Sequence, residues 1–290
     1  MTHFYLTLPS NSSSNYYPDN TLTRFITKLP SSVSLSGDWE VALSEIHFPR
    51  TWYTVKKGGE TITVECVVPE SDIVYPSPGR TRLALFPPGG EAKVIDIQMI
   101  DVKLQGGYYE TMQDVVKEMN TVMVREFTDK LPKETTAPKI RFSELNKRTY
   151  YTLPKGVVML FPTDLRNMLG LADDQMEIGG FEGEMKILKS QHVSDINGGL
   201  HSMYIYCDLL EHVAVGDTSA PLLRVVDARG KNGDMQHRIY EPPRYMPVQK
   251  KNFDCLEIDI RDDLGRPIPF ESGKLTVTLH FRRAKNPYFL

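Results

Sequence analysis

The chain has 290 residues, of which 40% are hydrophobic and 24% are charged, and its formal net charge is −3. This composition is typical of a folded globular protein and excludes the disordered and fibrous classes. The slight negative charge argues against nucleic acid as the main ligand, because a polyanion is attracted by a basic surface. The short basic segments are interpreted as solvated loop or strand-end charge, and they are Lys56-Lys57, Lys250-Lys251 and Arg282-Arg283-Ala284-Lys285.

The cysteines and the length of the apolar runs indicate the compartment in which the chain folds. Cys66, Cys207 and Cys255 lie far apart and fit no CxxC or Cys/His spacing, which disfavours a disulfide framework and a zinc site. The first two lie within alternating apolar patterns, where a free thiol usually packs as a small hydrophobic side chain. No apolar run reaches the roughly 18 residues that span a bilayer, and the first residues do not resemble a secretory leader. We therefore expect no membrane span and folding in a reducing compartment.

Strand signals dominate the first hundred residues. The sequence holds 14 Tyr, 12 Phe, 20 Gly and 20 Pro, a mixture of strand and turn formers that favours a β-sandwich or barrel. Residues 1–21 contain a Ser/Asn tract with little to bury, so they are predicted to form an N-terminal arm that becomes ordered only on assembly. Alternating apolar residues then predict strands over 24–29, 39–45 and 61–68. Between Val94 and Leu104 the apolar phase changes, which predicts a bulge or a break near Met99-Ile100.

Residues 105–184 are predicted to form an inserted α/β segment. Thr111-Met112-Gln113-Asp114 offers a capping box for the one long helix of the chain. Apolar residues follow it at helical spacing and predict a buried stripe, namely Met112, Val115, Val116, Met119, Val122, Met123 and Phe127. A brief second helix is predicted to begin at Pro162-Thr163 and to end at Gly170. A glycine cluster, Gly179-Gly180 and Gly183, marks the predicted end of the insertion.

The last hundred residues return to strands and complete the predicted fold. One strand places Leu256, Ile258 and Ile260 on one face. A later strand does the same with Leu275, Val277, Leu279 and Phe281, and a turn at Asp262-Asp263-Leu264-Gly265 predicts that the two strands form a hairpin. Many short strands that must cover an apolar face and limit open edges favour a sandwich. The predicted fold is mainly β, a single jelly-roll sandwich whose core comprises residues 22–104 and 185–290.

The sequence carries no recognisable catalytic, cofactor or metal signature. Its seven histidines form no HxH, HxxxH or HExxH pair, and they are His3, His47, His192, His201, His212, His237 and His280. No GxSxG elbow, P-loop or Rossmann fingerprint is present. The carboxylates of Asp227–Asp234 and Asp262-Asp263 lack the terminal glutamate of an EF-hand loop and are interpreted as turn residues. We therefore predict a protein that is not an enzyme, with no catalytic, cofactor-binding or metal-binding residues and no cofactor.

Several segments of the chain have a familiar pattern. At the N-terminus these are Leu8-Pro9-Ser10-Asn11-Ser12-Ser13, Tyr17-Pro18-Asp19-Asn20-Thr21, Gly37-Asp38-Trp39-Glu40-Val41-Ala42-Leu43-Ser44-Glu45-Ile46 and Pro49-Arg50-Thr51-Trp52-Tyr53. Further on they are Gly107-Tyr108-Tyr109, Leu200-His201-Ser202-Met203-Tyr204-Ile205-Tyr206-Cys207-Asp208, Val215-Gly216-Asp217-Thr218, Pro221-Leu222-Leu223-Arg224 and Gly273-Lys274-Leu275-Thr276-Val277-Thr278-Leu279-His280-Phe281. Together these segments resemble the minor capsid proteins of Polinton/Maverick elements and adintoviruses. The resemblance covers most of the chain, and its motifs are structural.

The resemblance implies a penton subunit of a virion. Five copies would form a homopentamer at each five-fold vertex of an icosahedral capsid, surrounded by double-jelly-roll major capsid proteins. The protein would fold in the host cytoplasm or nucleus, without a small-molecule substrate. A C-terminal apolar tail, Tyr288-Phe289-Leu290, suits packing against neighbours. The same fold leaves two alternatives open, which are a carbohydrate- or receptor-binding β-sandwich and a jelly-roll enzyme that holds a metal.

Overall fold

The computed structural model describes residues 2–68, 79–85, 93–131, 135–181 and 184–284. The chain divides into two compact units, which we call the sandwich unit (residues 1–52 and 200–290) and the inserted unit (residues 53–199). These boundaries differ from the predicted ones, 22–104, 105–184 and 185–290. The difference arises because the strand at residues 60–68 pairs with residues 157–160 of the predicted insertion, and the strand at residues 93–104 pairs in turn with residues 60–68. Gly183 and the predicted apolar tail, Tyr288-Phe289-Leu290, lie outside the described residues.

The described part of the chain is mainly β, as the sequence predicts. Its strands are β1 (His3–Pro9), β2 (Arg24–Ser34), β3 (Trp39–Pro49), β4 (Glu60–Val68), β5 (Arg80–Leu85), β6 (Lys93–Leu104), β7 (Lys139–Ser143), β8 (Arg148–Leu153), β9 (Val157–Leu160), β10 (Glu177–Gly180), β11 (Lys186–Lys189), β12 (Ser202–Cys207), β13 (Val213–Val215), β14 (Thr218–Ala220), β15 (Leu222–Asp227), β16 (Met235–Ile239), β17 (Met246–Pro247), β18 (Asn252–Arg261) and β19 (Thr276–Arg283). Its two α-helices are α1 (Met112–Lys130) and α2 (Thr163–Leu169).

The sandwich unit has the strand order of a jelly roll. One sheet runs β1-β19-β3-β16, with the short β17 also paired to β3, and the other runs β15-β12-β18-β2. If the eight main strands are lettered B to I along the chain, these orders read B-I-D-G and F-E-H-C. All pairings are antiparallel. Strands that alternate between two sheets in this way form the Greek keys of a single jelly roll.

The two sheets bury their apolar faces against each other. Leu8, Leu43 and Val277 of the first sheet and Ile205 and Ile258 of the second are at most 1% exposed and belong to one hydrophobic cluster. Because side chains alternate across a strand, the residues between them point outward. The outer face of the β1-β19-β3-β16 sheet is therefore free to carry polar side chains.

Two predictions for this unit are wrong. β18 and β19 do not form a hairpin, since β18 pairs with β2 and β12, whereas β19 pairs with β1 and β3. The two strands face each other across the core from different sheets. The prediction of an arm that orders only on assembly is also wrong for residues 3–9. β1 pairs with β19 over its whole length, and Leu8 is 1% exposed. The apolar residues before the Ser/Asn tract gain enough burial in the sheet to order without a partner chain.

The inserted unit contains two further sheets and both α-helices. Its sheets run β10-β9-β4-β6-β5 and β11-β8-β7, and α1 packs against β6 and β7. The predicted capping box is confirmed, since Thr111 Oγ1 accepts from the Asp114 backbone N–H and the Asp114 carboxylate accepts from the Thr111 backbone N–H. The predicted end of α2 is confirmed too, because Gly170 adopts φ +74°, a left-handed conformation that favours glycine. Among the described residues, no helix is long and apolar enough to cross a bilayer.

The prediction of a bulge or a break near Met99-Ile100 is wrong. β6 pairs with β4 in one continuous register from Asp96 to Leu104. The change of apolar phase instead reflects two buried polar residues on the face that carries Ile100. Asp96 pairs with Arg82 Nε at 3.1 Å, and Gln98 Oε1 accepts from Arg80 Nε at 2.9 Å. Because the two arginines satisfy the side chains of Asp96 and Gln98, β6 can bury both of its faces near these residues without a break in the strand.

Candidate functional site

Four of the seven histidines lie on the outer face of the β1-β19-β3-β16 sheet. His47 on β3 is opposite His237 on β16, and His3 on β1 lies beside His280 on β19. Sequence spacing did not predict either pair, because the partners are 190 and 277 residues apart. Strand pairing brings them together, and they form two clusters of polar and aromatic side chains on one surface.

A β-bulge in β3 determines which side chains reach this surface. In the pairing with β19, Thr278 is opposite Glu45 and Leu279 is opposite Leu43, so Ser44 is an extra residue. Without a bulge, strict alternation would place Leu43 and Glu45 on the same face. The extra residue shifts the alternation by one, so that Glu45 and His47 point outward while Ile46 and Phe48 are fully buried.

The first cluster consists of Glu45, His47, His237 and Thr278. Glu45 Oε2 lies 3.2 Å from His237 Nε2, and Glu45 Oε1 accepts from Thr278 Oγ1 at 3.1 Å. The rings of His47 and His237 stack at 3.8 Å between centroids with 13° between their planes. Hydrogen bonds from His237 and Thr278 hold the pKa of the Glu45 carboxyl below its usual value. Glu45 is therefore a carboxylate at neutral pH, with two imidazole rings beside it.

The second cluster surrounds His280. Its Nδ1 lies 2.8 Å from the hydroxyl of Tyr245, its Nε2 lies 3.4 Å from His3 Nδ1, and its ring stacks on Tyr5 at 4.3 Å. The guanidinium of Arg282 lies 3.4 Å from the centre of the Tyr245 ring, and the same side chain forms an ion pair with Glu40. This cluster is an aromatic and cationic patch, in which a further positive charge on His280 would be unfavourable.

We expect His280 to make the sandwich unit sensitive to acid. Partial burial, together with His3 and Arg282, lowers the pKa of His280 below its ordinary value of about 6.5. Between the lowered and the ordinary value the unfolded chain binds more protons, so the free energy of unfolding decreases as the pH falls through this range. Urea unfolding at several pH values should show a smaller decrease for His280→Gln than for the wild type. Identical pH dependence in both proteins would contradict the assignment.

The cysteines behave as packing residues. Cys66 and Cys207 are buried, as predicted, and burial raises the pKa of each thiol to about 12. A thiol with such a pKa is almost never a thiolate at neutral pH and is a poor nucleophile. Cys255 is half-buried and free.

The acidic loops are turns, as predicted. Asp262 Oδ1 accepts from the backbone N–H groups of Leu264 and Arg266, and its other oxygen pairs with the Arg266 side chain at 2.7 Å. Asp227 accepts from both the backbone and the side chain of Arg229. These carboxylates stabilise local backbone conformation and are already engaged within their own loops.

A concavity of about 340 Å³ lies on the outer face of the other sheet. Its lining residues are Tyr206, Asp208, Ala220, Pro221, Glu257, Asp259 and Arg261. The carboxylates already have cationic partners, since Asp208 pairs with Lys250, Glu257 with Arg24 and Asp259 with Arg261, each within 2.8 Å. The surface is a network of ion pairs around one tyrosine.

Comparison with known proteins identifies the fold. No family model and no curated protein sequence matches the chain. Among solved structures, the mavirus penton protein is similar over 98% of this chain and 100% of its own, with 12% sequence identity and a TM-score of 0.50. A chain of the Sputnik virophage structure is similar over 98% of both chains, with 10% identity and a TM-score of 0.44. At such low identity the likeness to the mavirus protein establishes the fold alone.

Proposed function

We propose that the chain is a minor capsid subunit that forms homopentameric pentons at the five-fold vertices of an icosahedral capsid. Each penton would contact the surrounding double-jelly-roll major capsid proteins, and the protein would have no enzymatic role. It would fold in the host cytoplasm or nucleus and reside in the virion. Polinton or adintovirus-like elements are the proposed source, from the resemblance of its terminal segments.

The observation that carries the proposal is the similarity of fold along the whole chain. The alignment with the mavirus penton protein covers 98% of this chain and 100% of that chain, so it is not confined to the residues of the jelly roll. A common sandwich alone would be weak support, because one fold hosts many functions. An alignment over the whole length of both chains is more specific support.

The edge of the sandwich unit offers a surface for a neighbouring subunit. β16 is an edge strand of its sheet, and its Met235 and Ile239 are 55% and 61% exposed. Exposed apolar residues on an unpaired edge favour contact with another chain. A closed ring of five requires a heterologous contact, in which this flank meets a different flank of the next copy.

Particle reconstruction tests the proposal. Co-expression with the matching major capsid protein is expected to give particles with this chain at the five-fold vertices. Native mass spectrometry at high concentration should show a mass of five chains, although a modest interface dissociates on dilution. A stable two-fold dimer, or vertices that are filled by another protein, would contradict the proposal.

One observation favours a second candidate, the carbohydrate- or receptor-binding sandwich. The concavity around Tyr206 combines an aromatic ring with convergent polar groups, which is how many shallow ligand sites are built. Glycan-array screening of the wild type and of Tyr206→Ala tests it. Binding that is lost in the variant would support this candidate, and absence of binding to any glycan would leave the concavity as a solvated ion-pair network.

A further inference from the structure

We propose that Glu45, His47 and His237 bind one divalent transition-metal ion of the Zn²⁺ type on the outer face of the β1-β19-β3-β16 sheet. The inference is independent of the proposed capsid function. It replaces the prediction that the chain holds no metal, because that prediction considered only the spacing of ligands along the sequence. The three residues come from two adjacent strands, and strand pairing alone brings them together.

The separation of the ligand atoms fits a small tetrahedral site. One ligand atom of each residue lies within 4.8 Å of the others. Zinc binds imidazole nitrogen and carboxylate oxygen at about 2.0–2.2 Å, so two ligands of a tetrahedral ion are about 3.3–3.5 Å apart. The 3.2 Å between Glu45 Oε2 and His237 Nε2 is close to that value. To bind an ion, the two stacked rings have to rotate so that one nitrogen of each points at it, and the hydrogen bond between His237 and Glu45 is replaced by a metal–ligand bond from each residue.

The carboxylate is held in position by a residue that is not a ligand. Thr278 is 6% exposed and donates to Glu45 Oε1, which leaves Oε2 directed toward His237. A hydrogen-bonded ligand of this kind is already oriented before the ion binds. Thr278 is therefore assigned as a positioning residue of the site.

The chemistry of the donor atoms favours zinc over the alkaline-earth ions. The His47 and His237 rings lie 3.8 Å apart between centroids, beside the Glu45 carboxylate. Two imidazoles and one carboxylate are a common ligand set for zinc. Calcium and magnesium prefer sites made entirely of oxygen.

The fourth coordination position of the proposed ion faces solvent. The side chains of His237 and Glu45 are 40% and 36% exposed, so water or a side chain of another molecule can complete the coordination. A bound ion would link the edge strand β16 to the central strand β3. An ion that binds the folded state and not the unfolded one stabilises it by mass action.

Metal titration of the full chain, with any affinity tag removed, tests the proposal. After treatment with a chelator, calorimetry near neutral pH should show one Zn²⁺ per chain, with Mg²⁺ and Ca²⁺ unable to compete. The melting temperature should rise with Zn²⁺ and return after EDTA is added. Co²⁺ should give the visible absorption of a four-coordinate ion.

Variants assign the ion to this cluster. His237→Gln should weaken Zn²⁺ binding at least 100-fold, and Thr278→Val should weaken it about 10–100-fold. His212→Gln is the matched control, because His212 is an exposed histidine of the same unit outside the cluster. Circular dichroism verifies folding, and His237 is suited to substitution because it lies on an exposed edge strand.

Two results would overturn the proposal. One is a wild-type chain that binds no Zn²⁺ at millimolar concentration. The other is equal binding by His237→Gln and His212→Gln, which would place the ion elsewhere. Both results concern only the metal, whereas failure of the capsid proposal would appear in particle imaging, so the two failures are distinguishable.

Discussion

Replacing Val277 with Asp is expected to unfold the sandwich unit or to lower its free energy of unfolding by about 4 kcal/mol or more. Val277 is 0% exposed and lies between Leu8 on β1 and Ile46 on β3, which are also buried. A carboxyl group at this position would lose its hydration and find no hydrogen-bond partner on the apolar face. Since small domains have only about 5–15 kcal/mol of stability, the loss would be severe.

Tryptophan fluorescence is a selective probe of this effect. The chain has two tryptophans, and both Trp39 and Trp52 are buried in the sandwich unit. Urea titrations that follow their emission therefore report on this unit. Thr276→Asp is the control, because Thr276 is the preceding residue of the same strand and points to the outer face. It should change stability by less than about 1 kcal/mol. Equal midpoints for both variants would mean that the inward face of β19 is wrongly assigned.

The sequence predicted the faces of the strands better than their partners. The alternation of Leu256, Ile258 and Ile260, and that of Val277 and its neighbours, correctly gave the buried sides of β18 and β19. It did not give the pairing, because period-2 alternation records which side is buried and not which strand lies alongside. In a jelly roll consecutive strands often belong to opposite sheets, so two apolar faces can meet across the core instead of along a hairpin.

Local signals were reliable where the structure is local. The capping box at Thr111 involves residues within a single turn of α1, and the end of α2 at Gly170 depends on residues within a single turn of α2. Both predictions were confirmed. The arm was misjudged because its burial depends on β19, which is almost 270 residues away. The ordering of β1 comes from tertiary burial that the first ten residues cannot reveal by themselves.

The candidate metal site was missed for the same reason. His47 and His237 become neighbours only through the β3-β16 pairing. One signal was nevertheless present in the sequence, since the apolar phase of β3 changes from Val41 and Leu43 to Ile46 and Phe48. That change indicates an extra residue, and it predicts that Glu45 and His47 share the outer face. A change of apolar phase was interpreted as a bulge or a break in β6, where the pairing is regular, and the same change in β3 was not interpreted.

Two single-residue deletions in β3 should differ strongly in their effect on stability. Ser44 is the extra residue of the bulge, so its deletion leaves Glu45 opposite Thr278 and Leu43 opposite Leu279 in a regular ladder. The main interaction that this deletion removes is the hydrogen bond from the Tyr240 N–H to the Ser44 carbonyl. We expect a decrease of about 1 kcal/mol in the free energy of unfolding.

Deletion of Ala42 should lower the free energy of unfolding by about 3–5 kcal/mol. The expected loss is larger than for Ser44 although Ala42 is smaller than most residues of the strand. The shortened strand can keep its pairing with β19 only if Ser44 enters the buried position of Leu43 and Leu43 turns outward. The other adjustment retains the bulge but turns Glu40 toward the core and Val41 away from it, which costs more. Urea unfolding that is followed by tryptophan emission compares the two deletions directly. Equal destabilisation would show that Ser44 is not the residue that resets the alternation, and the outward orientation of Glu45 and His47 would then need another cause.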